Sequence, residues 1–132
     1  MMEWNALPDG DLIVTLYFTI TKKLDRTDGP RSMADDEWAR FLIECVEPVF
    51  KTGFTVLEGI GQYHHAAGKR VARNLHTKVL VVTATKWLGP EIDGIRKVGQ
   101  RRFQQTSVGL TVVSCHADFD PVPDPEVRPA PE

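Results

Sequence analysis

Long hydrophobic runs are missing from this chain. Its longest apolar stretches are strand-length, far below the ~20 residues that a bilayer-crossing helix needs, so no membrane span is expected. The N-terminal MMEWNALPDGDL lacks both the basic start and the apolar run of a secretory signal. Cysteine is scarce: Cys45 and Cys115 are the only two, and they have no CxxC spacing. Both fall inside apolar periodic segments, where they read as buried thiols suited to a reducing cytoplasm. An excess of either charge is also absent, with 16 Lys+Arg against 18 Asp+Glu and a formal charge of −2. That balance argues against a nucleic-acid binder driven by bulk electrostatics, while leaving room for a local basic patch. Catalytic signatures are missing too: there is no GxSxG, HExxH or P-loop. Glu58-Gly59-Ile60-Gly61 is too short for a dinucleotide fingerprint, and no helix opens after it. No catalytic residue, metal ligand or cofactor is therefore assigned.

What is present is a strongly patterned single domain. At 132 residues, 42% of them apolar and 26% charged, the chain suits one globular core. In LIVTLYFTIT, Leu12, Val14, Leu16, Phe18 and Ile20 fall on one wholly apolar face. Ile13, Thr15, Tyr17, Thr19 and Thr21 fall on a mixed one. A period of two in β-branched and aromatic residues predicts a strand with one face in the core. A polar loop, KKLDRTDGPR, follows.

The next segment predicts a helix. Ser32 with Asp35 resembles a capping pair, and Asp35, Asp36 and Glu37 place negative charge in the first turn, where the helix dipole favours it. Trp38, Phe41, Leu42, Cys45, Val46, Val49 and Phe50 recur at helical spacing as one apolar stripe. Pro48 is expected to kink or end the last turn, and Gly53 to stop it. FTVLEGIGQY and residues 69–85 predict two strands joined as a hairpin around HHAAG, with Gly59 and Gly61 available for a bulge. Leu88-Gly89-Pro90-Glu91 opens a second helix with proline near its start. Ile92, Ile95, Val98 or Gly99, and Phe103 supply its stripe. Gly94 and Gly99 each cost about 1 kcal/mol against alanine there. SVGLTVVSC predicts a last strand.

The order β-α-β-β-α-β is the ferredoxin-like split arrangement: an α+β fold with a four-stranded antiparallel sheet and two helices on one face. Right-handed crossovers place strands 1 and 3 centrally. The expected layout is an N-terminal arm over 1–11, the domain over 12–119 and a proline-rich, disordered tail over 120–132. The side of the sheet carrying Ile13, Thr15, Tyr17 and Thr19 is left uncovered, which suits self-association or a ligand pocket.

Ordered blocks of the chain, LYF (16–18), EWARFLIECVEPVF (37–50), GFTVLEGIGQY (53–63), KRVARNLHTKVLVV (69–82) and RRFQQTSVGL (101–110), resemble the bacterial DUF3574 family, whose function is unknown. The resemblance covers about residues 12–117 and implies a ferredoxin-like fold. It also implies acids where this chain has Asn74 and Thr106, and it names no reaction.

Two groups of residues are candidates for binding. Tyr17, Arg70, Arg73 and Lys78 are assigned to the open sheet face and hairpin, where the cations would meet a small anionic ligand. Arg96, Lys97, Arg101 and Arg102 on the second helix are a possible docking patch for an acidic partner. His64 and His65 are neighbours on a strand and point to opposite faces, so they read as hairpin-tip residues and not as a metal pair. An RNA-binding sheet needs aromatics on its central strands, and only Tyr17 is offered. The expected function is a small cytoplasmic interaction protein that forms a homodimer or higher homo-oligomer through its open sheet face. The alternatives are a small-molecule binder or cofactor-independent enzyme of dimeric α+β barrel type, and a regulator that docks through the basic helix.

Overall fold

The computed structural model describes residues 10–20, 33–64, 71–124 and 126, with the backbone alone for 33, 34, 63, 64 and 71–75. The elements run β1 (Leu12–Thr19), α1 (Met33–Phe41), a π-helical turn (Leu42–Val46), β2 (Thr55–His64), β3 (Val71–Ala84), α2 (Gly89–Arg102) and β4 (Gly109–Ser114). The sheet order is β2-β3-β1-β4, and every pairing is antiparallel. Strands 1 and 3 are central, as the crossover rule requires. This is the predicted ferredoxin-like α+β fold.

Strict alternation along β1 decides which side of the sheet is covered. Leu12, Val14, Leu16 and Phe18 are fully buried, and the residues between them are half-buried. Phe18 sits at the centre of an aromatic cluster. Its ring lies 5.1 Å from Trp38, 5.4 Å from Phe41 and 6.5 Å from Phe103, each edge-on. Edge-to-face pairs put the positive ring edge against a negative ring face, and add about 0.5–1.5 kcal/mol each beyond area burial. Ile92, Ile95 and Gly99 of α2 complete the layer from the second helix.

Some local expectations change. The first helix leaves α geometry at Leu42, earlier than expected: Glu47 N–H bonds the Leu42 carbonyl at 2.9 Å, a five-residue step. Pro48 has no N–H to hold the Glu44 carbonyl in an α turn, so the wider turn fits the sequence ahead of it. The chain then reverses at Gly53, whose φ of 126° suits glycine. Cys45 and Cys115 are free but half-buried, not buried. The register does shift between Gly61 and Tyr63, but the extra residue lies on β3, between Ala72 and Leu75, and not at the glycines. Residues 65–70 of the hairpin tip, with His65 and Arg70, lie outside the described residues, as does Ser32.

Candidate functional site

The register aligns the open side of the sheet in rows. Leu57, Val79, Tyr17 and Gly109 form one; Thr55, Val81, Thr15 and Thr111 form the next. Thr83, Ile13 and Val113 close one end, and Gly59, Thr77 and Thr19 the other. None of these residues carries a charge. Leu57 and Val113, on the two edge strands, are 53% and 56% exposed. Polarity on this face comes from hydroxyls, and Tyr17 Oη lies 3.4 Å from Thr111 Oγ1. The Tyr17 ring covers Gly109, where a Cβ would come within 3.2 Å of Tyr17 Cδ2. Tyr17 therefore stands where the sequence predicts it, at the middle of the uncovered surface.

Lys78 does not join it. Phe18 is its partner in β1 and Glu58 its partner in β2, so it points to the helix side, like Leu80 and Val82. There Lys78 Nζ pairs with Glu58 Oε1 and lies 3.6 Å from Asp35 Oδ1 in the first turn of α1. Its side chain is only 13% exposed. The assignment of Lys78 to the open face is thus corrected: its parity with buried Leu80 already committed it to the other side. Two acidic partners also occupy the charge that a small anion would have met. Arg73 lies on the β3 backbone, within the register shift between Ala72 and Leu75 that breaks strand parity. The structure does not bring Tyr17 and Lys78 together.

The basic helix is divided in the same way. Arg96 Nε donates to the Val108 carbonyl at 3.0 Å, and its Nη1 lies 3.4 Å from Asp93 Oδ1. Arg102 Nη1 lies 2.9 Å from Glu44 Oε1 on the π turn. The Glu44 side chain holds the Arg102 guanidinium above its ordinary pKa, against the opposing effect of burial. Both arginines therefore tie α2 to its surroundings and are not presented as a patch. Lys97 and Arg101, exposed on the outer side of α2, are what remains of the predicted docking surface.

His76 and His116 are exposed, and no cluster of metal-ligating side chains occurs among the described residues. No described helix is long and apolar enough to cross a membrane. One feature escaped the sequence reading. After β4 the chain continues as an arm without regular secondary structure that holds Phe119 and Val122 in solvent, 83% and 84% exposed. A signal was available in Asp11, whose carboxylate fixes that arm, but nothing local pairs Asp11 with Ala117.

No curated protein matches the chain. Among solved structures, it is similar to a phage SAM lyase in complex with S-methyl-5'-thioadenosine, with a TM-score of 0.58 and 12% identity over 86% of this chain and 87% of that one. It is also similar to CutA from Synechococcus elongatus, with a TM-score of 0.48 and 14% identity over 83% and 81% of the two chains. At such identities the first likeness concerns the fold alone. The family comparison goes further, because the model described as a protein of unknown function, DUF3574, matches residues 14–119 and so takes in both helices and every strand except the first two residues of β1. The chain belongs to the DUF3574 family.

Proposed function

We propose that this protein is a small interaction module that self-associates face to face, two copies pressing their open sheet surfaces together. One observation carries the reading. Charged residues make up 26% of the chain, yet among the residues whose side chains are described none stands on the open side of the four-stranded sheet. A surface meant to stay in water has no reason to exclude them. A surface that must be desolvated does, since burying an unpaired charge costs far more than burying a methyl or a hydrogen-bonded hydroxyl. Placing Val79, Val81, Ile13 and Leu57 against a second copy would remove contiguous apolar area from water at about 25 cal/mol per Å².

Leu57→Asp tests the proposal, because Leu57 is half-exposed on an edge strand and the monomer should tolerate the change. The wild type is expected to sediment as a concentration-dependent dimer, and the variant as a folded monomer. A wild type that stays monomeric at millimolar concentration would sink the reading.

A second reading shares the same face. Tyr17 and Thr111 place a hydroxyl pair in the middle of uncharged surface, and the similar phage SAM lyase holds an uncharged nucleoside thioether. A pocket for such a molecule between facing sheets rests on analogy of fold. Calorimetric titration with S-methyl-5'-thioadenosine is expected to give heat that Tyr17→Phe reduces; no heat with the wild type removes this reading.

A further inference from the structure

We infer that residues 115–122 form an exchange arm, in which Phe119 of one copy seats on the open sheet face of the other. The inference rests on the face-to-face reading and deepens it by naming the residue that anchors the contact.

The arm leaves the sheet under restraint. Cys115 N–H donates to the Asp11 carbonyl at 3.0 Å, extending the β1–β4 ladder past its last residue pair. Ala117 N–H then donates to Asp11 Oδ2 at 3.0 Å. Asp120 N–H bonds Asp118 Oδ1 at 2.8 Å, closing a tight turn with Phe119 at its apex. A large aromatic is therefore held out in water by a preorganised backbone, and preorganisation lowers the entropic cost of binding. Phe119 does not turn back on its own sheet, because it is 83% exposed. The family match also extends through residue 119, so this anchor belongs to the domain.

Area and reach favour a second copy as the occupant. Four strands about 4.8 Å apart, with six to fourteen residues each at about 3.3 Å, give a face of about 600 Å² in projection. That falls short of the ~800 Å² per partner typical of stable interfaces. A buried phenylalanine adds about 150–250 Å² on its own, and reciprocal exchange supplies one from each side. Stacked sheets lie about 10 Å apart, and beyond Ala117, the last residue tied to Asp11, the two residues to Phe119 span up to about 7 Å before the length of the ring itself. The arm leaves from the end of β4, beside half-exposed Val113 on that face, so Phe119 can cross the gap. Its neighbours Asp118 and Asp120 would remain in the wet rim, where interface charge is tolerated.

The test uses the full chain in sedimentation equilibrium, with Phe119→Ala, Phe119→Leu and Leu57→Asp alongside the wild type. Phe119→Ala is expected to raise the dimer dissociation constant at least tenfold with no change in monomer melting, and Phe119→Leu to recover most of that loss. In a mixed-label dimer, nuclear Overhauser effects should connect the Phe119 ring of one copy to the Ile13 or Val113 methyls of the other. If Leu57→Asp dissociates the dimer while Phe119→Ala leaves its affinity unchanged, the arm is wrong and the face-to-face reading stands. Tighter association of Phe119→Ala would mean that the ring shields its own sheet, which also overturns the arm. A wild type that never associates overturns both.

Discussion

Replacing Gly99 by alanine puts a methyl group 2.6 Å from Phe18 Cε1 and 3.1 Å from Phe18 Cδ1, with Phe41 Cζ at 3.6 Å. The first distance lies well inside van der Waals contact, so something must move. The Phe18 ring cannot swing away freely, because it is fully buried and packed edge-on against Trp38, Phe41 and Phe103. Overpacking of this kind costs about 1–3 kcal/mol. Against it stands the gain of about 1 kcal/mol from replacing glycine inside a helix. Gly99→Ala should therefore be destabilising by up to about 2 kcal/mol once the two are combined.

The same helix contains the control. Gly94 has nothing within 4 Å of its hypothetical Cβ and faces water. Gly94→Ala should collect the propensity gain alone and stabilise by about 0.5–1 kcal/mol. Urea unfolding of both variants at low protein concentration measures the two changes on one scale. With a slope of about 1–3 kcal/mol per molar urea, a 2 kcal/mol difference separates the midpoints by about 1 M. The two midpoints should shift in opposite directions. Equal upward shifts would show that α2 does not approach β1 through Gly99, and the packing described here would be wrong.

Lys78→Met should cost less than about 1 kcal/mol, because methionine keeps the packed stem while the exposed Glu58 and Asp35 carboxylates simply rehydrate; thermal melting beside Lys78→Ala, which also loses the stem, checks this. Glu44→Gln should lower stability by no more than about 1 kcal/mol, with the loss shrinking in high salt. The raised Arg102 pKa stabilises the fold at every pH below its unfolded value and is lost only as pH rises through the folded one. That window is far alkaline, so the titration of Arg102 itself should leave the melting temperature flat across neutrality.

Periodicity carried the fold because a period of two or of 3.6 is a direct record of which side each residue faces. Alternation in LIVTLYFTIT separates the buried Leu12, Val14, Leu16 and Phe18 from half-buried Ile13, Thr15 and Tyr17 as observed. The buried stripe of α2 was legible in the same terms, although Gly99 reads as a propensity cost until Phe18 is seen to need the space. Charge was much less legible. Lys78, Arg96 and Arg102 look alike in sequence as cations free to meet a ligand. Glu58 and Asp35 neutralise the first, Asp93 and the Val108 carbonyl hold the second, and Glu44 takes the third. Apart from Asp93, one turn away on α2, these partners come from other parts of the chain. Facing direction is a local property, whereas occupation of a charge is a property of the assembled fold.

That distinction also bears on how copies of this domain would meet. A four-stranded open sheet has two edges as well as a free side, and unpaired edge amides invite strand addition. Here both edges are blunted. The register shift beside Gly61, with its extra residue on β3 between Ala72 and Leu75, interrupts the regular ladder next to β2, and Glu58 on that strand is already held by Lys78. At the other edge β4 has only six residues, and the arm continuing from it is tied back to Asp11. Edge pairing would have to accommodate that interruption or release those hydrogen bonds. Contact through the uncharged side requires neither. Under the proposed self-association, the features that protect the edges would therefore direct it toward the free face, and an arm anchored at the end of β4 would reinforce that face instead of extending the sheet.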